Sequence, residues 1–327
     1  MDAALSNIVN LFLENSEAVK PRLKWQHSML QRVAALLYAS EGRAVDCDAI
    51  DACMRLIKQQ TGVFSAFRGN VKLNIAALLS LAEMPDQVFA HTLSVYALLK
   101  AERFAGGDYL AFAAYQIARQ VPPERHAETV DRTRAFYDSM KAEHRLLTGQ
   151  DDYIFSAMLG ISTLDVYMST ARMERIYEEL KPVFSSRTEV QSLAQVLTLC
   201  ADETAPYRVI QLHDELKSRR LNYNRAYALS TLGVLALVSE DTRRIAQATA
   251  ETYDYLRTQK GFGSFSITKL ERMLLSASLV AFSCLRDDTQ GVLGAVLANS
   301  VTNILIAQQV AVAAAAGSAA AASSAGS

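Results

Sequence analysis

The sequence has few residues that make turns. Only 14 glycines and 6 prolines occur among its 327 residues, whereas a β-sandwich or β-barrel needs a turn about every ten residues and places Gly or Pro at many of them. The scarcity of both residues therefore argues against an all-β fold. Half of the residues are apolar and they recur at helical spacing, so we expect an all-α protein.

The chain also lacks an excess of charge of either sign. Lys and Arg number 33, Asp and Glu number 34, and the formal net charge is −1. This balance provides no long-range field for nucleic acid or for an anionic membrane. Small basic clusters such as Arg219–Arg220 do not form a repeating basic face, so we predict no nucleic-acid partner.

Cysteine is rare and its spacing forms no motif. The four cysteines, at 47, 53, 200 and 284, include no C-x-x-C pair, so we expect buried, reduced thiols. The first twenty residues contain Asp2, Glu14 and Glu17, unlike the basic start and uninterrupted apolar centre of a signal peptide. We therefore expect a cytoplasmic protein.

No catalytic or cofactor motif is recognisable. The sequence contains no P-loop, no dinucleotide-binding G-x-G-x-x-G, no H-E-x-x-H and no G-x-S-x-G. The five histidines are dispersed, without a second His or Cys at metal-ligand spacing. The run KGFGSFS (260–266) opens a helix whose amides could hold an anion, but a plain turn is the preferred interpretation. We predict neither cofactor nor metal.

What the sequence does contain is an internal repeat. Six segments share a large residue, an apolar residue three positions later and a cation four positions later. We call this pattern the outer-helix frame. Its large residues are 36 to 42 positions apart, a period typical of helical-hairpin repeats: Met54, Tyr96, Tyr137, Tyr177, His213 and Tyr253.

About twenty residues before each frame lies a more apolar segment with a small residue at a fixed position. The small residue lets a neighbouring helix approach closely: Ala35, Ala77, Ala114, Ala157, Ala194, Gly233 and Ala277. Each unit is thus an inner apolar helix followed by an outer amphipathic one. Between units, an aromatic residue or leucine before a small or turn residue is predicted to plug the interface: Phe64, Phe104, Leu147, Phe184, Tyr223 and Phe262.

We predict one helical-repeat domain over residues 1–316, followed by a disordered tail (317–327). The domain comprises an N-terminal cap helix (2–20), six full repeats plus a half (22–285) and a C-terminal cap helix (292–316). The predicted architecture is an α-solenoid, and a closed (α/α) toroid is the alternative, because six or seven hairpins of this length also suit a ring.

The predicted C-terminal helix is unlike the rest, because the chain has no charged residue from 289 onwards. It is long enough to cross a bilayer. However, six polar side chains lie between positions 299 and 309, and these are costly in lipid. We expect a cap or a homo-oligomer contact here, with membrane association as an alternative.

Three segments carry a resemblance to a known family. TGVFSAFRGN (61–70), QKGFGSFSITKL (259–270) and LGVLALVSED (232–241), together with the order of units, resemble the domain-of-unknown-function family numbered 4003 over residues 1 to about 310. The resemblance implies a bacterial, Firmicute-type protein of helical fold. It implies no activity and no site residues.

The function predicted from the residues is a protein-binding or scaffolding module, because a helical array offers an extended surface to a protein or peptide partner. The alternative is an enzyme with acidic residues at the mouth of a toroid. Its candidate catalytic residues are Asp108, Asp151, Asp152 and His144. Helix capping is the preferred interpretation of these aspartates.

Overall fold

A computed structural model describes residues 1–69, 71–200, 202–225 and 228–287. In these ranges the chain forms fourteen α-helices, two short 3-10 helices and no β-strand, which confirms the all-α class. No helix of this described part is long and apolar enough to cross a membrane. The predicted C-terminal helix (292–316) and tail (317–327) lie outside the described residues.

Each apolar segment and each outer-helix frame falls on a separate helix. The first helix, α1, spans Ala3–Arg22, and its predicted apolar face is buried. The inner helices are α2 (Ser28–Ser40), α4 (Lys72–Ser80), α6 (Asp108–Gln120), α8 (Asp152–Ile161), α10 (Arg187–Thr198), α12 (Leu229–Leu237) and α14 (Lys269–Asp287). The outer helices are α3 (Cys47–Gln60), α5 (Pro85–Ala101), α7 (His126–Glu143), α9 (Val166–Leu180), α11 (Ala205–Ser218) and α13 (Thr242–Thr258).

The outer-helix frame separates buried from exposed positions. Its cations are all exposed. The apolar residue three positions after each large residue is almost fully buried in all six helices: Ile57, Leu99, Met140, Leu180, Leu216 and Leu256. Since positions three apart lie on one face of a helix, the frame marks the face by which each outer helix joins the core.

Most inner helices pack more closely against the outer helix that precedes them than against the one that follows, although α12 packs most closely against the inner helix α10. The close pairs are α3–α4, α5–α6, α7–α8, α11–α12 and α13–α14. In contrast, α4 and α6 make few contacts with the outer helices that follow them. The closest hairpin therefore runs from an outer helix to the next inner helix, whereas the sequence pattern suggested an inner helix followed by an outer one.

The predicted plug residues lie in the loops between an outer helix and the next inner helix; Leu147 is only partly buried, and the prediction for Phe64 is wrong. Four of them are buried: Phe104, Phe184, Tyr223 and Phe262. In the loop between α3 and α4, however, Phe64 is fully exposed and Phe67 is buried. The Ser65 hydroxyl accepts a hydrogen bond from the Phe67 amide at 3.3 Å, and the resulting 3-10 turn directs Phe67 inwards against Phe89 and Tyr96.

The described residues belong to two compact units. One contains residues 1–10 and 168–287, and the other contains residues 11–167. In the first unit, the amino terminus of Met1 forms an ion pair with Glu251 of α13. In the second, the Asn15 side chain donates to the carbonyl oxygen of Arg43 at 3.0 Å and accepts from the Val45 amide at 2.8 Å. That pair of bonds attaches α1 to the loop between α2 and α3.

Candidate functional site

Charged residues on the outer helices lie where helix capping favours them. Acidic residues stand at the starts of the outer helices: Asp46, Asp86, Glu124, Asp165, Asp202 and Asp241. Two of them accept hydrogen bonds from first-turn amides, Asp46 from Ala49 at 2.9 Å and Asp241 from Arg244 at 3.0 Å. The frame cations stand at the opposite ends. Both arrangements complement the helix dipole, so this polarity needs no ligand to explain it.

Asp151, Asp152 and His144 lie in the loop between α7 and α8. The Asp152 carboxylate is buried and accepts a hydrogen bond from the Gly149 amide at 2.8 Å, which closes the turn at the start of α8. The His144 carbonyl oxygen accepts from the Thr148 amide at 2.9 Å. These contacts shape the loop before α8.

Asp108 begins α6, one loop earlier, and its carboxylate lies beside a different segment. A Cβ atom at Gly69 would be 3.0 Å from Asp108 Oδ1, which places this carboxylate against the end of the loop between α3 and α4. Among the described residues, no group of three or more His, Cys, Asp or Glu side chains is arranged to hold a metal ion.

The frame tyrosines pack between helices. The rings of Phe104, Tyr137 and Tyr153 are mutually in contact, with centroids 4.9 to 5.5 Å apart. Tyr153 Oη also accepts a hydrogen bond from the Ala105 amide at 3.2 Å. Such contacts stabilise the core, so Tyr137 and Tyr153 hold α7 and α8 against the loop that follows α5.

Four of the loops that lead into inner helices expose a large apolar side chain. The four most exposed ones in the described part all lie there: Trp25 (87 %), Phe64 (100 %), Leu146 (97 %) and Phe265 (109 %). No other large apolar side chain among these residues exceeds 79 %. The sequence pattern does not reveal this set, because helical periodicity predicts which side chains are buried in helices but not in loops.

The loop around Phe64 is positively charged. Residues 61–71 contain Arg68 and no carboxylate, and the Arg68 guanidinium donates to the carbonyl oxygens of Lys58 and Thr61. Burial lowers the pKa of Lys72, and the neighbouring cations Lys58 and Arg68 lower it further. Arg68 lies in the Phe64 loop itself and Lys58 and Lys72 lie near its two ends, while the Asp108 carboxylate lies against its last residues.

A second basic region lies in the other unit. The end of α11, the last two turns of α13 and the start of α14 enclose a cleft of about 370 Å³. Four of its lining side chains are cationic and one is a carboxylate: Arg219, Arg220, Arg257, Lys269 and Asp254. From the sequence only the pair Arg219–Arg220 stands out as a basic cluster. Arg257 and Lys269 join this pair only when the three helices pack together.

Comparison with known proteins identifies the family but not an activity. No curated protein and no solved structure matches the chain. One family model matches residues 15–311, and that family is described as a protein of unknown function. This agrees with the resemblance found in the sequence. Because the match covers most of the chain, the protein belongs to the DUF4003 family.

Proposed function

We propose that the protein is a protein-binding module and that its residues 11–167 bind a partner segment through the loops that lead into α2, α4 and α8. The observation that carries this proposal is the exposure of Trp25, Phe64 and Leu146 at the tips of these three loops. Exposed apolar surface marks interaction sites when it forms a patch, and the recurrence of such side chains in three loops of one unit is our reason to infer one here.

Phe64 and Phe67 show that this exposure does not reflect a lack of space in the core. The two phenylalanines are three residues apart in the same loop, and Phe67 is 1 % exposed while Phe64 is 100 % exposed. The buried ring holds the loop in place and the other ring remains available. A loop held in this way loses little conformational entropy when a partner binds, which favours affinity.

The charges beside these side chains indicate the chemistry of the partner. Lys58, Arg68 and Lys72 lie in or beside the loop that carries Phe64, and the Lys24 ammonium lies 5.2 Å from the centre of the Trp25 ring. We therefore propose a partner segment that combines apolar side chains with carboxylates, since complementary charge accelerates association and selects the partner. Aromatic anchors such as Trp25 would then contribute most of the affinity.

Photo-crosslinking in cells tests the proposal. p-Benzoylphenylalanine is placed at Trp25, Phe64 or Leu146, and at Met84 or Tyr167 as controls. The two control side chains belong to the same unit and are also exposed, but they lie at the opposite ends of the inner helices. We expect one protein to be captured from all three loop positions and from neither control. No capture at the loops, or equal capture at the controls, would overturn the proposal.

Binding of the purified partner is then measured by the fluorescence of Trp25, the one tryptophan of the chain. Phe64→Ser and Leu146→Ser should each weaken affinity at least tenfold, about 1.4 kcal/mol, whereas Tyr167→Ser should leave it unchanged. Because both loop side chains are exposed, their removal should not change thermal unfolding. A loss of affinity that accompanies unfolding would contradict a direct binding role.

A further inference from the structure

The cleft between α11, α13 and α14 has more positive charge than its own contacts neutralise. Arg219 pairs with Glu215, with Nη1 and Oε2 2.6 Å apart, and Arg257 lies 3.6 Å from Asp254. Arg220 and Lys269 have no carboxylate partner in the described part of the chain. The Lys269 ammonium instead donates to the carbonyl oxygen of Arg220 at 2.8 Å, so two cations remain unpaired by acidic groups.

A fifth cation lies behind the cleft wall. Arg272 is only 2 % exposed, and it donates from Nε to the carbonyl oxygen of Phe262 at 2.9 Å and from Nη1 to Tyr253 Oη at 3.2 Å. It forms no salt bridge within the described residues. A buried arginine without a carboxylate raises the positive potential of the space next to it, because a low-dielectric interior screens its charge poorly.

Tyr253 connects this buried charge to the cleft. Its ring lies 5.1 Å from the Arg272 guanidinium and it lines the cleft. Since Tyr253 Oη accepts a hydrogen bond from Arg272, its own proton is available to a group in the cleft. An anion bound there would therefore receive a hydroxyl hydrogen bond as well as contacts from the cations.

Arg220 is placed at the cleft by an unusual backbone conformation. Its φ angle is +65°, a left-handed conformation that helices usually assign to glycine just after their last turn. The Leu221 amide donates to the Leu216 carbonyl oxygen at 2.9 Å, which completes this helix end. Arg103 has the same conformation, with φ +63°, after α5 in the other unit, and this arginine provides a matched control.

We propose that this cleft binds a small molecule that carries a phosphate or diphosphate group. A doubly charged anion matches the two cations that lack carboxylate partners. The guanidinium of Arg220 can bind two phosphate oxygens at once, and Lys269 adds a compact ammonium donor. The volume of about 370 Å³ falls within the range of small-molecule pockets.

Titration calorimetry of the full chain tests this site, with pyrophosphate and glycerol phosphate as probes and sulfate for comparison, at about 0.15 M salt. We expect at least one of the two phosphate probes to bind, with a stoichiometry of one per chain and a dissociation constant below about 1 mM. Arg220→Met and Lys269→Met should each weaken binding at least tenfold, and Tyr253→Phe should weaken it severalfold. Arg103→Met should leave the affinity unchanged.

Thermal unfolding provides the second measurement. Because a ligand that binds only the folded state raises the melting temperature, pyrophosphate should stabilise the wild-type chain and Arg103→Met equally, and Arg220→Met much less. The proposal is overturned if neither phosphate probe binds at about 10 mM, or if Arg103→Met loses as much affinity as Arg220→Met. A phosphoserine peptide that binds when both small probes do not would also overturn it, in favour of a macromolecular ligand.

Discussion

A Cβ atom at Gly233 in α12 would lie 2.6 Å from Cδ1 of Leu193 in α10 and 3.2 Å from Cγ1 of Val196. The two inner helices are thus packed so closely that an alanine would fit only if the Leu193 side chain moved. In the other unit, a Cβ at Gly160 of α8 would lie 2.9 Å from the Thr133 amide nitrogen. There the obstacle is backbone, which cannot rotate away.

These distances predict the effects of substitutions at three glycines. Gly233→Ala adds a crowded methyl group, which typically costs about 1 to 3 kcal/mol, partly offset by about 1 kcal/mol of helix propensity. Gly160→Ala should cost more than Gly233→Ala, since the main chain of α7 would have to move. Gly62→Ala is the control, because no atom of the described part of the chain lies within 4 Å of its Cβ position.

Urea unfolding measures the free energy of unfolding of each variant. We expect Gly62→Ala to be the most stable of the three variants, Gly233→Ala to be intermediate and Gly160→Ala to be the least stable. If Gly160→Ala had the same free energy of unfolding as the wild type, the contact between α7 and α8 would be looser than the structure shows.

The small-residue positions could be predicted from sequence because they recur in register on successive helices. Ala35, Ala77 and Ala114 are buried as expected, and so are their counterparts. The outer-helix frame predicted the buried face of the outer helices for the same reason, since a period of about forty residues brings the same helix face back in each unit. Both patterns belong to regular helices, where spacing along the chain determines direction in space.

Loops and clefts could not be predicted in this way. Phe64 and Phe67 lie in one short segment, and the 3-10 turn after Ser65 decides which ring is buried. The basic cleft joins Arg220 to Lys269, 49 residues later, and it exists only after α11, α13 and α14 pack. The balanced overall charge also concealed it, because composition averages over the surface.

Arg132 stabilises the end of α8 through three hydrogen bonds. Its Nε donates to the Gly160 carbonyl oxygen at 3.0 Å, and its Nη2 donates to those of Ser162 at 2.9 Å and Leu164 at 2.7 Å. Carbonyl groups at a helix end have no partner within the helix. Arg132→Met should therefore lower the free energy of unfolding by about 2 to 3 kcal/mol.

The matched control for Arg132 is Arg125→Met. Arg125 pairs with Glu128, and both side chains are more than half exposed, so its loss should change stability by less than about 1 kcal/mol. Arg132→Lys should recover only part of the loss, since an ammonium cannot reproduce the spread of a guanidinium. Equal effects of Arg125→Met and Arg132→Met would show that the three carbonyl bonds contribute little.

Asp202 makes stability depend on acid pH. Burial raises the pKa of its carboxyl, but hydrogen bonds from Arg208 and Thr204 outweigh burial and lower the pKa to about 2. A carboxyl with a lowered pKa stabilises the folded state above its unfolded pKa of about 3.9, and this contribution is lost as pH falls towards 2. The free energy of unfolding should thus fall between about pH 4 and pH 2.

The Asp202→Asn variant tests this assignment. Urea unfolding at several pH values should show a shallower decline below pH 4 than in the wild type, because the variant has no carboxyl to protonate at this position. Arg208→Met should reduce the decline as well. If the free energy of unfolding of Asp202→Asn fell with pH as steeply as that of the wild type, other carboxyl groups would be responsible for the acid sensitivity.

The four cysteines should separate into two reactivity classes. Cys53 and Cys200 are buried, and burial raises the pKa of each thiol to about 11. Cys47 and Cys284 are only partly buried, so the prediction of four buried thiols was correct for two; burial also raises the pKa of the Cys47 thiol, but its partial exposure leaves it accessible to the reagent. Since the thiolate is the reactive form, iodoacetamide at pH 8 should label Cys47 and Cys284 in the folded protein.

Mass spectrometry of the labelled peptides resolves the four sites. Labelling of Cys53 and Cys200 should require urea, and in urea all four should react at similar rates. Rapid labelling of Cys200 in the folded chain would mean that the segment before α11 opens readily in solution.

Gln116 in α6 is a buried amide whose side-chain oxygen and nitrogen both lack a hydrogen-bond partner among the residues that the structure describes. An unpaired amide in an apolar interior costs about 1 to 3 kcal/mol, so Gln116→Met, which keeps the length of the side chain, should raise the melting temperature. Asn15 is the matched contrast, because its buried amide pairs with Arg43 and Val45, and Asn15→Leu should lower the melting temperature. If Gln116→Met also lowered it, the Gln116 amide must have a partner in solution, and the interior beside α6 would become a candidate polar binding site.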